Sequence, residues 1–150
     1  MRRDNRDVMR LRLTKRGDYA VRAMVALADA GGSQLTGGQI AQRTDIPISF
    51  LPQVMGTLVH AGLVDGLQGR TGGYRLAQPA SSISLLNVVE AAEGTSRRTS
   101  CILRGGPCRT NGTCSVHAAF SAAQDALLAE LAAARLDGVA NGHRREVVAG

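Results

Sequence analysis

Apolar residues recur three and four positions apart in the first part of the chain, the period of an α-helix with one buried face. A helix is predicted from Thr14 to Ala30, with Thr14 as its N-cap, and the pair Gly31–Gly32 predicts its end. A second, shorter helix is predicted over residues 36–44. The apolar positions of the first helix are Tyr19, Ala23, Met24, Leu27 and Ala28.

A turn is predicted between the second helix and a third. Pro47 disfavours a helical conformation at the residue before it, and Ser49 is the expected N-cap of the third helix. Pro52 falls within the first helical turn, where proline is tolerated. The third helix is expected to end at Ala61–Gly62. Its apolar face consists of Leu51, Val54, Met55, Leu58 and Val59.

The apolar pattern changes after the third helix. Leu63–Val64 and Tyr74–Leu76 are candidate short strands on either side of the glycine-rich residues 68–73. Helix, turn, helix and then a glycine-rich hairpin is the element order of a winged helix-turn-helix. Ser84 is the predicted N-cap of a further helix that ends at Gly94.

A long helix with an apolar stripe is predicted over residues 115–136. At ~20 residues and 1.5 Å per residue it is roughly 30 Å long. Such a stripe exceeds what a small domain can cover, so a second copy of the chain is the expected partner; an intramolecular core helix is the alternative. The stripe contains Val116, Phe120, Ala123, Leu127 and Leu131.

These patterns predict a mainly α fold: a winged helix-turn-helix with a small β-hairpin wing and a long C-terminal dimerisation helix. The predicted segments are a polar extension (1–10, where Met9 is an alternative start to Met1), a DNA-binding domain (11–94), a cysteine-rich loop (95–114), the dimerisation helix (115–136) and a flexible tail (137–150).

Charge indicates the kind of partner. The 150 residues carry a net charge of +6 and the pI is near 10.2, which favours nucleic acid as partner, although a basic surface that serves only solubility is the alternative. No apolar run approaches the ~20 residues of a membrane span, and the charged N-terminus lacks the features of a secretory signal. We therefore expect a cytoplasmic protein without membrane contact.

The predicted recognition helix and wing supply the candidate DNA contacts. In a winged helix-turn-helix the first turns of the second motif helix meet base edges in the major groove. Phe50 has two interpretations, contact with thymine methyl groups or a place in the core. Arg70 is expected at a phosphate or in the minor groove, and the wing glycines could equally serve an ordinary tight hairpin. The predicted contacts are Ser49, Phe50, Gln53, Arg70, Thr71, Gly72, Gly73 and Tyr74.

All three cysteines lie in one loop-like segment rich in Gly, Pro, Thr and Asn. Cys101, Cys108, Cys114 and His117 are spaced C-x6-C-x5-C-x2-H, a complete set of four donors. Soft thiolates select zinc, Cu(I) or an iron–sulfur cluster over hard cations. A histidine that caps the following helix is an equal alternative for His117. Three is an odd number, which argues against a closed disulfide framework.

Several motifs together resemble the Rrf-type family of bacterial winged-helix iron–sulfur transcription regulators. The resemblance covers roughly residues 9–136. It implies a homodimeric transcription factor with a long C-terminal dimerisation helix and, usually, an iron–sulfur cluster in the loop before that helix. The motifs are Leu13–Met24, Ile48–Leu51, Ala61–Val64, Gly69–Tyr74 and Ile83–Leu86.

The resemblance leaves the fourth cluster ligand open between two residues. His117 stands where one branch of the family has a histidine ligand. Asp18 stands where another branch uses an aspartate from the first helix of the other subunit; from the residues alone it is a surface position. The first cysteine gap is one residue longer than usual, so neither a 2Fe-2S nor a 4Fe-4S cluster is specified. Pro52 replaces a glutamate that matters for DNA choice in one branch, so the operator is not specified either.

The leading prediction is a non-enzymatic DNA-binding regulator, expected to be a repressor on a palindromic operator in double-stranded DNA. Its cluster would sense nitric oxide, the supply of iron or clusters, or redox state. The alternatives are structural zinc or redox-active thiols on the same residues, although zinc favours C-x2–4-C pairs. A cysteine-based redox enzyme or cluster carrier is disfavoured, because the chain lacks a C-x-x-C pair and a histidine–carboxylate arrangement.

Overall fold

The fold is described from a computed structural model, which covers residues 13–94 and 115–141. Within these ranges the chain forms helices and one antiparallel hairpin, confirming the mainly α winged helix-turn-helix. No helix of the described ranges is long and apolar enough to cross a bilayer. The elements are α1 (Lys15–Asp29), α2 (Gly37–Thr44), α3 (Leu51–His60), β1 (Val64–Leu67), β2 (Gly73–Leu76), a 3₁₀ turn (Ala80–Ser82), α4 (Leu85–Glu93) and α5 (His117–Ala133).

Two predicted N-caps, Thr14 and Ser84, are confirmed, and so is the predicted start of the second helix at residue 36. The Thr14 hydroxyl accepts a hydrogen bond from the Gly17 amide at 3.2 Å at the start of α1. Thr36 caps α2 and Ser84 caps α4, each in a reciprocal capping box with the side chain three residues later. These caps satisfy amide groups that the first turn of a helix leaves without an intrahelical acceptor, so the starts of these helices are set locally.

The predicted N-cap of α3 is wrong. The helix begins at Leu51 with Phe50 at the N-cap position, and no described side chain caps it. The Phe50 amide donates to the Pro47 carbonyl at 2.9 Å. Ser49 is therefore part of a turn that precedes the helix. Pro52 lies in the first turn of α3, as predicted.

The wing is paired with a residue from the loop before α2. β1 and β2 are antiparallel, from Val64 opposite Leu76 to Leu67 opposite Gly73. The Leu35 amide donates to the Tyr74 carbonyl at 2.8 Å, and the Tyr74 amide donates to the Leu35 carbonyl at 2.7 Å. These two bonds hold the base of the wing against the helical core.

The core lies among the helices of the winged-helix unit, and α4 closes it against α1. The Glu93 carboxylate at the end of α4 accepts from the Thr14 amide at 2.5 Å and from the Thr14 hydroxyl at 2.7 Å. These bonds join the last turn of α4 to the first turn of α1. The largest fully buried side chains are Met24, Leu27, Ile40, Leu51, Met55, Leu58, Ile83, Leu136, Val64 and Val88.

The C-terminal helix ends earlier than the predicted boundary at residue 136. After Ala133 the chain pairs with residues 83–85: the Leu85 amide donates to the Ala134 carbonyl and the Leu136 amide to the Ile83 carbonyl, both at 2.9 Å. Leu136 is fully buried, and residues 136–141 are helical where a flexible tail was expected from residue 137. Burial of Leu136 in the core accounts for this departure from a single long helix.

Candidate nucleic-acid interface and metal-ligand residues

The N-terminal end of α3 presents three of the predicted DNA contacts on its exposed side. Ser49, Phe50 and Gln53 are exposed. The opposite face of α3 is buried against the core through Leu51, Val54, Met55 and Leu58. The amphipathic pattern of the helix therefore directs Gln53 away from the core, where its amide can reach a partner such as the edge of an adenine.

Phe50 is not a core residue. Its side chain is 48% exposed, and its ring centroid lies 6.3 Å from that of Tyr19 on α1, with the planes tilted by 48°. A tilted aromatic pair at this separation is worth about 0.5–1.5 kcal/mol. The ring of Phe50 thus braces the start of α3 against α1 and still keeps half of its surface accessible.

The wing tip combines an exposed arginine with a closely packed backbone. Arg70 and Thr71 are exposed, and the Gln34 side-chain amide donates to the Thr71 carbonyl. A Cβ atom at Gly72 would lie 2.5 Å from the Leu67 carbonyl oxygen, and one at Gly73 would lie 2.5 Å from the Leu35 carbonyl oxygen. Gly72 is therefore required by the hairpin itself, and Gly73 by the close approach of the loop before α2. Both requirements are compatible with DNA contact.

Tyr74 lies at the base of the wing. It is half-buried, packs against the hydrophobic core and forms the two backbone bonds to Leu35. A direct contact between Tyr74 and DNA stays a prediction, because the position of this residue is already explained by its packing.

Two exposed residues beside these elements were not among the predicted DNA contacts. Ile48 is 61% exposed directly before α3, and Gln34 bonds to the wing. An isoleucine after a proline in an apolar stretch looks like a core position. A glutamine 37 residues from its acceptor gives no pattern that sequence periodicity could detect.

The candidate metal ligands are only partly within the described residues. Cys101, Cys108 and Cys114 lie in residues 95–114, outside the described ranges. His117 is the first residue of α5 and is exposed; Asp18 is in the first turn of α1. Among the described residues, no three His, Cys, Asp or Glu side chains cluster closely enough to hold a metal ion.

Asp18 already has a cationic neighbour. Its carboxylate accepts from the Arg22 guanidinium at 2.9 Å, and both side chains are about half-exposed. Arg22 also donates to the Thr44 carbonyl at 3.5 Å, at the end of α2. Asp18 is thus connected through one side chain to the helix that precedes the turn into α3.

Comparisons with known proteins agree with this arrangement. The family model for Rrf2, described as an iron-dependent transcriptional regulator, matches residues 13–142. The HTH-type transcriptional regulator IscR of Escherichia coli is 37% identical over 120 residues, which span 78% of this chain and 72% of that protein. This chain also superposes on the structure of CymR, the global cysteine regulator of Bacillus subtilis, with a TM-score of 0.76. The sequence identity is 23%, and the match covers 88% of this chain and 98% of CymR. T. potens IscR gives a TM-score of 0.68 at 23% identity, over 89% and 88% of the two chains. At these identities the two solved structures show the shared fold alone.

Proposed function

The chain belongs to the Rrf2 family of DNA-binding transcriptional regulators, and from this premise we propose that it is a homodimeric, non-enzymatic repressor controlled by an iron–sulfur cluster. The observation that carries the proposal is the confinement of all three cysteines to residues 101–114, directly before α5. We place its action in the cytoplasm, on a palindromic operator in double-stranded DNA.

The donor set fits an iron–sulfur cluster. Three thiolates are the ligands that iron in such clusters prefers, and an imidazole or a carboxylate can complete the set. His117 begins the helix that follows the cysteines, and Asp18 is accessible in the first turn of α1. When bound, the cluster would supply a group whose integrity depends on nitric oxide, on the supply of iron or clusters, or on redox state.

The exposed surface of α5 supports the homodimer. None of its 17 residues, all of them in the described range, is buried in the single chain, although Ala and Leu dominate its sequence. Leu127 is 39% exposed and Val116 is 37% exposed. An apolar helix that is only partly covered in one chain predicts a partner surface, and a two-fold symmetric pair would present two α3 helices to a palindromic site.

Spectroscopy of anaerobically purified protein tests the cluster. We expect brown protein with one cluster per subunit, and Mössbauer spectra would identify the cluster type. Cys101→Ala, Cys108→Ala and Cys114→Ala should each abolish the visible absorption, because each removes a thiolate ligand. Ser115→Ala, next to the last cysteine, serves as control and should keep the colour. A colourless wild type that holds stoichiometric zinc, or whose thiols respond only to oxidants, would overturn the proposal.

Two further variants identify the fourth ligand. Loss of the true ligand should make the cluster labile, so Asp18→Ala and His117→Ala are expected to differ in the rate at which the visible absorption decays. Asp125→Ala, an exposed carboxylate on α5, is the control. If the cluster decays in both variants at the rate of the wild type, neither residue is the ligand.

Gel-shift titrations of the cluster-containing and apo forms test the switch. A shift of occupancy from 99:1 to 1:99 requires roughly 5.5 kcal/mol of differential stabilisation. We expect at least one selected operator to be bound by the cluster form and released by the apo form. Equal affinity of the two forms for every selected sequence would show that the cluster does not control DNA binding.

A further inference from the structure

The turn before α3 holds an apolar side chain in an exposed position. The turn lies between two buried anchors, Ile46 at 2% exposure and Leu51 at 1%. Ile48, between them, is 61% exposed, the highest value among the large apolar side chains of the described residues that stand exposed. A single exposed apolar residue is ordinary on a protein surface, so its location has to decide whether it has a role.

Ile48 lies directly before the N-terminal end of α3, the helix that is predicted to enter the major groove. Ser49 and Gln53, also exposed there, can form hydrogen bonds with base edges. Ile48 has no polar side-chain atom, so it cannot form such a bond. The apolar group that bases display in the major groove is the C5-methyl of thymine.

Phe50 is the other exposed large apolar residue at this end of α3, and its environment differs. Its ring is paired with Tyr19 of α1, at 6.3 Å between centroids, so part of its surface is already in contact within the protein. Ile48 keeps a larger accessible fraction, 61% against 48% for Phe50. Ile48 is thus the side chain with the larger share of its surface still available for burial when DNA binds.

We propose that Ile48 packs against the C5-methyl group of one thymine in each operator half-site and so selects thymine over cytosine there. The inference rests on the DNA-binding role of the family and not on the cluster. Burial of one methyl group corresponds to about fourfold in affinity, and two half-sites together to roughly fifteenfold.

The test uses an operator duplex selected in vitro with the full chain, in whichever form binds DNA. Each thymine is replaced in turn by deoxyuridine, which keeps the base pair and removes only the methyl group. For the wild type we expect one symmetric pair of thymines whose replacement weakens binding by about four- to fifteenfold. Ile48→Ala should bind the thymine and deoxyuridine duplexes equally well.

Two control variants separate Ile48 from neighbouring apolar residues. Val59→Ala removes an exposed apolar side chain at the other end of α3 and should keep the full sensitivity to deoxyuridine. Phe50→Leu replaces the neighbouring aromatic ring with a smaller apolar side chain and should also keep the full sensitivity to deoxyuridine. Loss of the sensitivity in Phe50→Leu but not in Ile48→Ala would assign the methyl contact to Phe50 and overturn the inference.

The remaining outcomes are also decisive. A wild type that is indifferent to deoxyuridine at every position, or a selected operator without a required thymine, would overturn the role of Ile48 and leave DNA binding intact. Failure to select any duplex would contradict DNA binding itself. Equal operator affinity with and without the cluster would refute the proposed switch and leave the methyl contact unaffected.

Discussion

α1 and α5 are helices of similar length, 15 and 17 residues, with opposite burial. Six residues of α1 are buried, whereas none of α5 is buried within the described single chain. α1 contacts α2, α3, α4 and β2, whereas α4 is the main neighbour of α5. Apolar composition alone therefore does not place a helix in a core: α1 is enclosed by its own domain, whereas α5 stays largely exposed in the described single chain.

The two ends of α5 are also held differently. Its C-terminal end is anchored through Leu136, which is buried in the winged-helix core, and through the pairing of residues 134–136 with residues 83–85. Its N-terminal end follows the cysteine segment directly. The position of that end is therefore the one that the state of the cysteines can influence most directly.

The largest expected effect comes from truncating Leu136, the buried side chain that follows α5. Leu136→Ala should lower the free energy of unfolding by about 2–5 kcal/mol, because it removes a fully buried side chain. Leu127→Ala truncates an exposed side chain of the same type. Measured at a dilution where the protein is monomeric, it should lower the free energy of unfolding by less than about 1 kcal/mol. Chemical denaturation of both variants gives the comparison. Equal costs would show that α5 is not anchored as described.

The next effect concerns the uncovered face of α5. Leu127→Glu places a charge within the proposed interface, so we expect monomeric protein by light scattering. Operator affinity should be at least about a hundredfold lower, since one chain engages only one half-site. Asp125→Ala on the same helix is the control and should remain dimeric. A Leu127→Glu protein that stays dimeric would mean that some other surface joins the subunits.

The smallest effect is expected at the wing, which projects from the well-packed unit. Gln34→Ala removes the bond to Thr71 and should lower operator affinity by about two- to tenfold, the value of one hydrogen bond of about 0.5–1.5 kcal/mol. If Gln34 acts by positioning Arg70, the substitution Gln34→Ala should have little effect on operator affinity in a protein that already carries Arg70→Ala. Ser33→Ala, the exposed neighbour, is the control. Additive losses in a double-mutant cycle would rule out this positioning role.

Features that depend on short stretches of chain could be predicted from the sequence. Thr14 and Ser84 were recognisable as N-caps and residue 36 as the start of a helix, because a capping side chain bonds an amide within the next three residues. Gly31 and Gly62, both at positive φ, were recognisable as helix ends for the same local reason. The prediction at Ser49 was wrong because a serine suits both a turn and a cap, and the Pro47–Phe50 bond selected the turn.

The candidate site, too, could be predicted from the sequence only in part. The cysteine spacing identified a set of soft donors from residue types alone, and the recognition helix followed from the element order. In the proposed dimer, the choice between Asp18 and His117 as fourth ligand would depend on how the two chains meet, which no local pattern specifies.

Only the tertiary structure decided which side chains are covered. It placed Leu136 in the core, ended α5 at Ala133 and paired Leu35 with the wing, all through contacts between residues far apart in the chain. It also separated Ile48, which is exposed, from Ile46, which is buried two positions earlier. The physical reason is that burial depends on the surfaces that surround a residue, and those surfaces come from distant segments that a sequence pattern does not bring together.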